Sequence, residues 1–91
     1  MCTYQTETLT LRASAKTPRG WVSMTDASVY FDHPVHFSAT HALMIDVLNT
    51  SSGGVDRVGL EMDAVSARNL AETILRALDA APAALLDDRL T

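Results

Sequence analysis

Alternating apolar and polar positions predict β-strands over the first third of the chain. In Thr3–Ala13, one side carries Tyr4, Thr6, Thr8 and Thr10 and the other Leu9, Leu11 and Ala13. The β-branched threonines suit a pleated surface. Turn residues in Lys16–Gly20 end this strand. Trp21–Met24 and Ser28–Asp32 predict two further strands, with a tight connection or bulge at Thr25–Asp26. Trp21, Tyr4, Tyr30 and Phe31 are expected near a cavity, Trp21 and Phe31 as core residues.

Two more strands are predicted in the middle of the chain. His41–Leu48 is apolar on both sides, interrupted by Asp46, which is typical of a central strand. The polar segment 49–56 contains two glycines and predicts a hairpin loop. Arg57–Met62 alternates again, with Val58, Leu60 and Met62 inward and Arg57 and Glu61 outward.

An amphipathic helix is predicted over about residues 64–80. Asp63 or Ser66 can cap its N-terminus, and Pro82 stops or bends it. Its apolar stripe consists of Ala67, Leu70, Ala71, Ile74 and Leu78. Residues 87–91 are expected to fray.

These elements predict a single α+β domain spanning residues 1–91. An antiparallel sheet of about five strands, within residues 3–62, precedes the C-terminal helix, which packs on one sheet face. One helix cannot cover both faces of such a sheet. We therefore expect a homo-oligomer, a dimer in the simplest case, with a bare face or edge buried between copies.

Charge and composition argue against several classes of function. The net charge is −4, and seven basic residues are scattered along the chain, which predicts neither nucleic-acid binding nor attachment to an anionic membrane. No apolar run is long enough to cross a bilayer, and the N-terminus does not resemble a signal peptide. One cysteine cannot form an internal disulfide. Together these features indicate a cytoplasmic protein.

The histidines and the cysteine form a candidate metal site. His33, His36 and His41 lie within nine residues, and Pro34 breaks the strand there, so the rings can converge. Cys2 is the fourth candidate ligand, with or without removal of Met1. Three imidazoles and a thiolate suit zinc, while copper or non-haem iron are alternatives. The competing interpretation is that these histidines are solvated or hydrogen-bonded side chains without a metal.

Two aspartates are candidates for catalysis. Asp46 interrupts an apolar strand, where a carboxylate needs a partner such as Arg57, or acquires a raised pKa and acts as a general acid or base. Pairing with Arg57 is the favoured interpretation. Asp32 can serve as a ligand or can orient a histidine ring. Cys2 has an alternative role as an N-terminal nucleophile. That role is typical of a layered fold for which this chain is too short.

Three short stretches carry a family resemblance: the opening MCTY, residues 26–36 (DASVYFDHPVH), and Ile45-Asp46-Val47. With these the chain resembles an uncharacterised family of short bacterial proteins, a domain of unknown function found mainly in high-GC soil bacteria. The resemblance implies that Cys2, Asp32, His33 and His36, with His41 and Asp46, belong to the family's pattern. It implies no activity.

Three functional hypotheses follow. The first is a small metal-binding protein, with metal-dependent chemistry on a small molecule if a coordination position is open. The second is a non-catalytic dimeric interaction or small-ligand-binding module. The third is a cofactor-free acid–base enzyme that uses Asp46 and one histidine in an apolar pocket.

Overall fold

Four antiparallel strands form one sheet in the order β1-β2-β3-β4. The structure is a computed structural model that describes residues 5–53 and 56–87. The strands are β1 (Thr6–Thr17), β2 (Gly20–Asp32), β3 (Ala42–Leu48) and β4 (Arg57–Met62). Each strand pairs with its sequence neighbour, so the predicted central position of β3 is confirmed, and the α+β class with it.

The sheet has four strands rather than the five expected, because residues 20–32 form one continuous strand. The predicted break at Thr25–Asp26 does not occur in β2. Thr10 pairs with Asp26 and Ala13 with Met24, so two residues of β1 lie opposite Thr25 alone. This irregularity is a β-bulge in β1, which bends that strand while β2 runs through.

Strand alternation divides the middle of the sheet into two faces. The helix face carries Val29, Phe31, Leu43, Ile45 and Met62. The Asp46 face carries Tyr30, Met44, Asp46, Gly59 and Glu61. Residues paired across antiparallel strands share a face, so the registers Tyr30↔Met44↔Glu61 and Asp46↔Gly59 fix this second set.

The segment between β2 and β3 lies against the Asp46 face, and near it Met44 and Ala42 are buried. Met24 and Ala27 complete the buried apolar residues of the described chain. Trp21 is 68% exposed, so its expected role in the core is wrong. It lies on β2 beside the turn at Pro18–Arg19, near the end of the β1–β2 hairpin.

Helix α1 spans Ala64–Ala80 and begins as predicted, with the Asp63 carboxylate accepting a hydrogen bond from the Ser66 backbone N–H at 2.7 Å. It ends at Ala81, just before Pro82. The helix approaches the sheet through β3, and an open cleft separates much of its apolar stripe from the helix face.

Among the described residues no helix is long and apolar enough to cross a membrane. Most of the expected frayed tail, residues 88–91, lies outside the described residues.

Candidate functional site

A tyrosine–aspartate pair lies on the Asp46 face where the two central strands meet. The Tyr30 hydroxyl donates a hydrogen bond to Asp46 Oδ2 at 2.8 Å. That bond, with partial burial and the negative charge of Asp46, raises the pKa of the Tyr30 phenol above its ordinary value. The phenol therefore stays protonated at neutral pH and serves as a hydrogen-bond donor to the carboxylate.

The expected partner of Asp46 was Arg57, and this prediction is wrong. In the described chain the hydrogen-bond donor to Asp46 is Tyr30, and Asp46 and Arg57 do not form an ion pair within 4 Å. Arg57 pairs in register with Leu48 rather than with Asp46. It nevertheless lies close enough for its charge to act on the Tyr30 phenol. Asp46 pairs directly with Ser28 of the neighbouring strand β2. Tyr30 is the next residue of β2 on the same face as Ser28, so its side chain, rather than that of Arg57, reaches the carboxylate.

Gly59 leaves room for the Asp46 carboxylate. An added Cβ at position 59 would lie 3.1 Å from Asp46 Oδ1 and 3.9 Å from the Ile45 carbonyl oxygen. Within the described chain, the hydrogen bond that Asp46 makes is the one from Tyr30 to Oδ2. An ionised carboxylate has about four acceptor positions. Oδ1 can therefore accept a hydrogen bond from a bound molecule.

Glu61 holds the segment that covers this face. Its Oε1 accepts hydrogen bonds from the backbone N–H groups of His36 and Phe37, at 2.9 and 2.6 Å, and its Oε2 accepts one from Val35 at 2.6 Å. These bonds, those from Phe37 and Val35 most strongly, lower the pKa of the Glu61 carboxyl. One charged side chain on β4 thus fixes three consecutive residues that have no regular secondary structure.

Together these groups line an open pocket of about 470 Å³ on the Asp46 face. Tyr30 and Asp46 lie on its sheet side, with Met44 beside them, while His36 and Phe37 line the opposite side. The volume is in the range of small-molecule sites, where apolar walls surround a few polar groups. A carboxylate, a phenol and an imidazole in one pocket can bind a hydrogen-bonding ligand and can exchange protons with it.

Two of the three histidines lie together elsewhere. The rings of His33 and His41 have centroids 4.6 Å apart, and His41 also stacks on Phe31 at 5.7 Å. Phe31 belongs to the helix face. His33 Nδ1 lies 2.7 Å from the Thr40 carbonyl oxygen, a distance that fits a hydrogen bond donated by the ring. His36 lines the pocket on the Asp46 face instead, so the sequence neighbours are divided between the two sides of the sheet.

The four-ligand metal site stays a prediction. In residues 5–53 and 56–87, no three histidine, cysteine or acidic side chains are grouped closely enough to hold one metal ion. Cys2, the fourth predicted ligand, lies outside the described residues. Asp32 ends β2, and its carboxylate accepts a hydrogen bond from the His33 backbone N–H at 2.7 Å. That bond places Asp32 beside the paired histidines and fixes the backbone where the strand ends.

Sequence reasoning did not select Glu61 or Met44 for this site. Outward-facing Glu61 looks like an ordinary solvated residue on an edge strand. The alternation of side chains along the strands was the available signal. The register that pairs Met44 with Glu61 places both residues on the same face as Asp46. The sequence did not indicate that residues 35–37 fold back onto this face.

Comparison with known proteins gives a family but no function. No curated protein and no solved structure matches the chain significantly. A model of a family described as "Family of unknown function (DUF6295)" matches residues 1–87. This match covers nearly the whole sequence, so the chain belongs to that family of unknown function.

Proposed function

We propose that the protein binds a small molecule in the pocket on the Asp46 face. The observation that carries the proposal is a carboxylate, oriented by the Tyr30 hydroxyl, on the sheet side of a pocket of about 470 Å³. Asp46 is half-buried, and a carboxylate that is partly removed from water gains from hydrogen-bond donors. Here one oxygen has a partner, and the other is available to a ligand that carries an N–H or O–H donor.

The lining narrows the class of ligand. Met44 and Phe37 provide apolar contacts, and Asp46 provides a negative acceptor. Glu61 does not need a hydrogen-bond donor from the ligand, because three backbone N–H groups already donate to its carboxylate. The pocket therefore favours a molecule that combines an apolar or aromatic group with an amine, amide or hydroxyl donor, and it disfavours carboxylates and phosphates.

Acid–base chemistry is the catalytic form of the same proposal. Asp46 would accept a proton from the ligand, and the Tyr30 hydroxyl would orient the carboxylate by its hydrogen bond. His36, which lines the other side of the pocket, would be the second proton-transfer group. Binding without turnover requires the same residues, so a binding assay comes first.

A matched pair of probes tests the proposal. Benzylamine and benzoate have the same ring but opposite charge, and each is titrated into isotopically labelled protein and followed by two-dimensional NMR. We expect saturable shifts from benzylamine at the amides of residues 30, 36, 37, 44 and 46, and none from benzoate. Asp46→Asn should abolish the benzylamine shifts. Ser14→Asn, on β1 outside the pocket, is the control and should leave them unchanged.

Two results would overturn this proposal. Saturable benzylamine shifts that are indifferent to Asp46→Asn would show that the carboxylate is not the binding group. A donor-bearing fragment library that gives no saturable shifts in this pocket would remove the binding role altogether.

Metal binding remains a second candidate because His33 and His41 lie adjacent, with ring centroids 4.6 Å apart. The contact between His33 Nδ1 and the Thr40 carbonyl oxygen resembles the backbone hydrogen bond that orients many metal-ligating histidines. Cys2 would be a further ligand, and His36 would join only if residues 35–37 left the Asp46 face. Zinc fits this donor set best, and copper or iron are alternatives.

Elemental analysis of protein purified without a polyhistidine tag tests this second candidate. We expect close to one metal ion per chain, with loss on His33→Ala or His41→Ala. His36→Ala separates the two arrangements: a four-ligand site weakens, whereas a site on His33 and His41 does not. Metal-free protein after growth with added zinc, with unchanged stability, would exclude the candidate.

A further inference from the structure

We infer that a second copy of this chain covers the apolar cleft beside helix α1, with the two helices antiparallel across a two-fold axis. The cleft measures about 590 Å³ and lies between the helix and the sheet. The sheet contributes Val29, Phe31, Leu43, Ile45 and Met62 to it. This inference concerns the side of the sheet opposite the Asp46 pocket and does not depend on the proposed function.

The helix leaves its apolar side chains in solvent within a single chain. Ile74 is 52% exposed, Leu75 60% and Leu78 50%, although all three lie on the apolar side of an amphipathic helix. None of the residues in Ala64–Ala80 is fully buried. Most of the stability of a helix in a protein comes from packing its apolar face. A helix of 17 residues with this exposure needs a further surface to pack on.

Charges on the rim of the cleft favour a second copy rather than an unrelated partner. Arg68 and Glu72 both line the cleft, one helical turn apart, and neither is ion-paired with another described residue. When identical helices pack antiparallel about an axis level with Leu70, Arg68 of one copy lies opposite Glu72 of the other. The arrangement occurs twice in the dimer, as an isologous interface requires. Ala67 and Ala71 on the same side let the two helices approach closely.

Sedimentation equilibrium of the full, untagged chain tests the inference. We expect twice the chain mass of 9.8 kDa at micromolar concentration. Arg68→Glu and Glu72→Arg should each weaken the dimer by about tenfold, because each places two pairs of like charges in contact. The double variant Arg68→Glu/Glu72→Arg restores opposite charges and should recover the dimer to within about threefold of the original.

A variant inside the cleft gives an independent measurement. Leu75→Glu puts a carboxylate in the interface and should abolish the dimer. Asn69→Glu adds the same charge to the same helix at a position outside the cleft lining and should leave the mass unchanged. Circular dichroism of each variant reports whether the chain stays folded, and the charge-swap pair decides the matter if Leu75→Glu unfolds.

Three outcomes overturn the inference. One is a wild-type protein that sediments as a single chain. This holds even if its cleft binds an apolar dye, because the cleft would then serve another ligand. Another is an oligomer whose dissociation constant is indifferent to both single charge reversals. The third is a dimer that Asn69→Glu weakens as much as Leu75→Glu does.

Discussion

The hydrogen bond between Tyr30 and Asp46 gives the most direct test of the site, because removing one oxygen atom with Tyr30→Phe eliminates it. The bond measures 2.8 Å. A hydrogen bond to a buried charged group stabilises a protein by about 1.5–3 kcal/mol, and these two side chains are only half-buried. We therefore expect Tyr30→Phe to lower the free energy of unfolding by about 1 kcal/mol.

A double-mutant cycle isolates this bond from other effects of the substitution. Tyr30→Phe, Asp46→Ala and the double variant are unfolded in urea at one fixed protein concentration, because any association changes the apparent stability. The expected coupling energy is about 1 kcal/mol. In thermal unfolding, a loss of about 1 kcal/mol corresponds to about 4–8 °C for a domain of this size.

Alkaline pH supplies a second signature. The Tyr30 pKa is raised in the folded protein, so above about pH 10 the unfolded chain releases this proton while the native state keeps it. The contribution to stability is fully present below the unfolded pKa and is lost as the pH rises through the folded pKa. Tyr30→Phe should remove this decline. Absorbance titration at alkaline pH should show one of the chain's two tyrosines ionising late, and that component should disappear in Tyr30→Phe.

A coupling energy below about 0.3 kcal/mol, the usual error of additivity, together with normal titration of both tyrosines, would show that this hydrogen bond does not stabilise the fold. A large coupling with a normal titration would also contradict the role of this bond, because the same bond produces both effects.

Three further perturbations follow from the described contacts. Glu61→Gln should lower the protection of the amides of residues 35–37 against hydrogen exchange at neutral pH. The wild type should lose the same protection, relative to the intrinsic exchange rate at each pH, as acidification passes through the lowered pKa of Glu61, because the ionised carboxylate binds these amides. Unchanged protection would refute the role of Glu61. Gly59→Ala should displace the Asp46 carboxylate by a few tenths of an ångström and so weaken benzylamine binding. The midpoint of urea unfolding should stay nearly unchanged. An affinity for benzylamine equal to that of the wild type in NMR titration would contradict this. Asp63→Ala should lower the melting temperature followed by circular dichroism, whereas Asp63→Asn, which keeps an acceptor for the Ser66 N–H, should retain most of it; equal losses would mean that the cap contributes through charge alone.

Local patterns in the sequence determined most of the secondary structure. The period-2 pattern in residues 41–48 and 57–62 predicts strands β3 and β4, and the sides assigned to their residues agree with the registers. The Asp63 cap marks the start of the helix, and Pro82 marks its end. These features depend on neighbouring residues alone. Strand β2 could not be predicted as one strand, because its continuity depends on a bulge in β1, a feature of pairing rather than of either segment.

Tertiary structure decided which polar groups meet. The histidines are neighbours in sequence, yet the chain turns so that His41 stacks with Phe31 on the helix face and His36 lines the pocket of Asp46. Spacing alone cannot predict this, because a proline-broken segment has no periodicity to assign its sides. Glu61, 24 or more residues from the amides that it binds, draws that segment onto the sheet. The sequence thus supplied the reactive side chains, and long-range hydrogen bonds selected Tyr30, Asp46 and His36 as the group that shares a pocket.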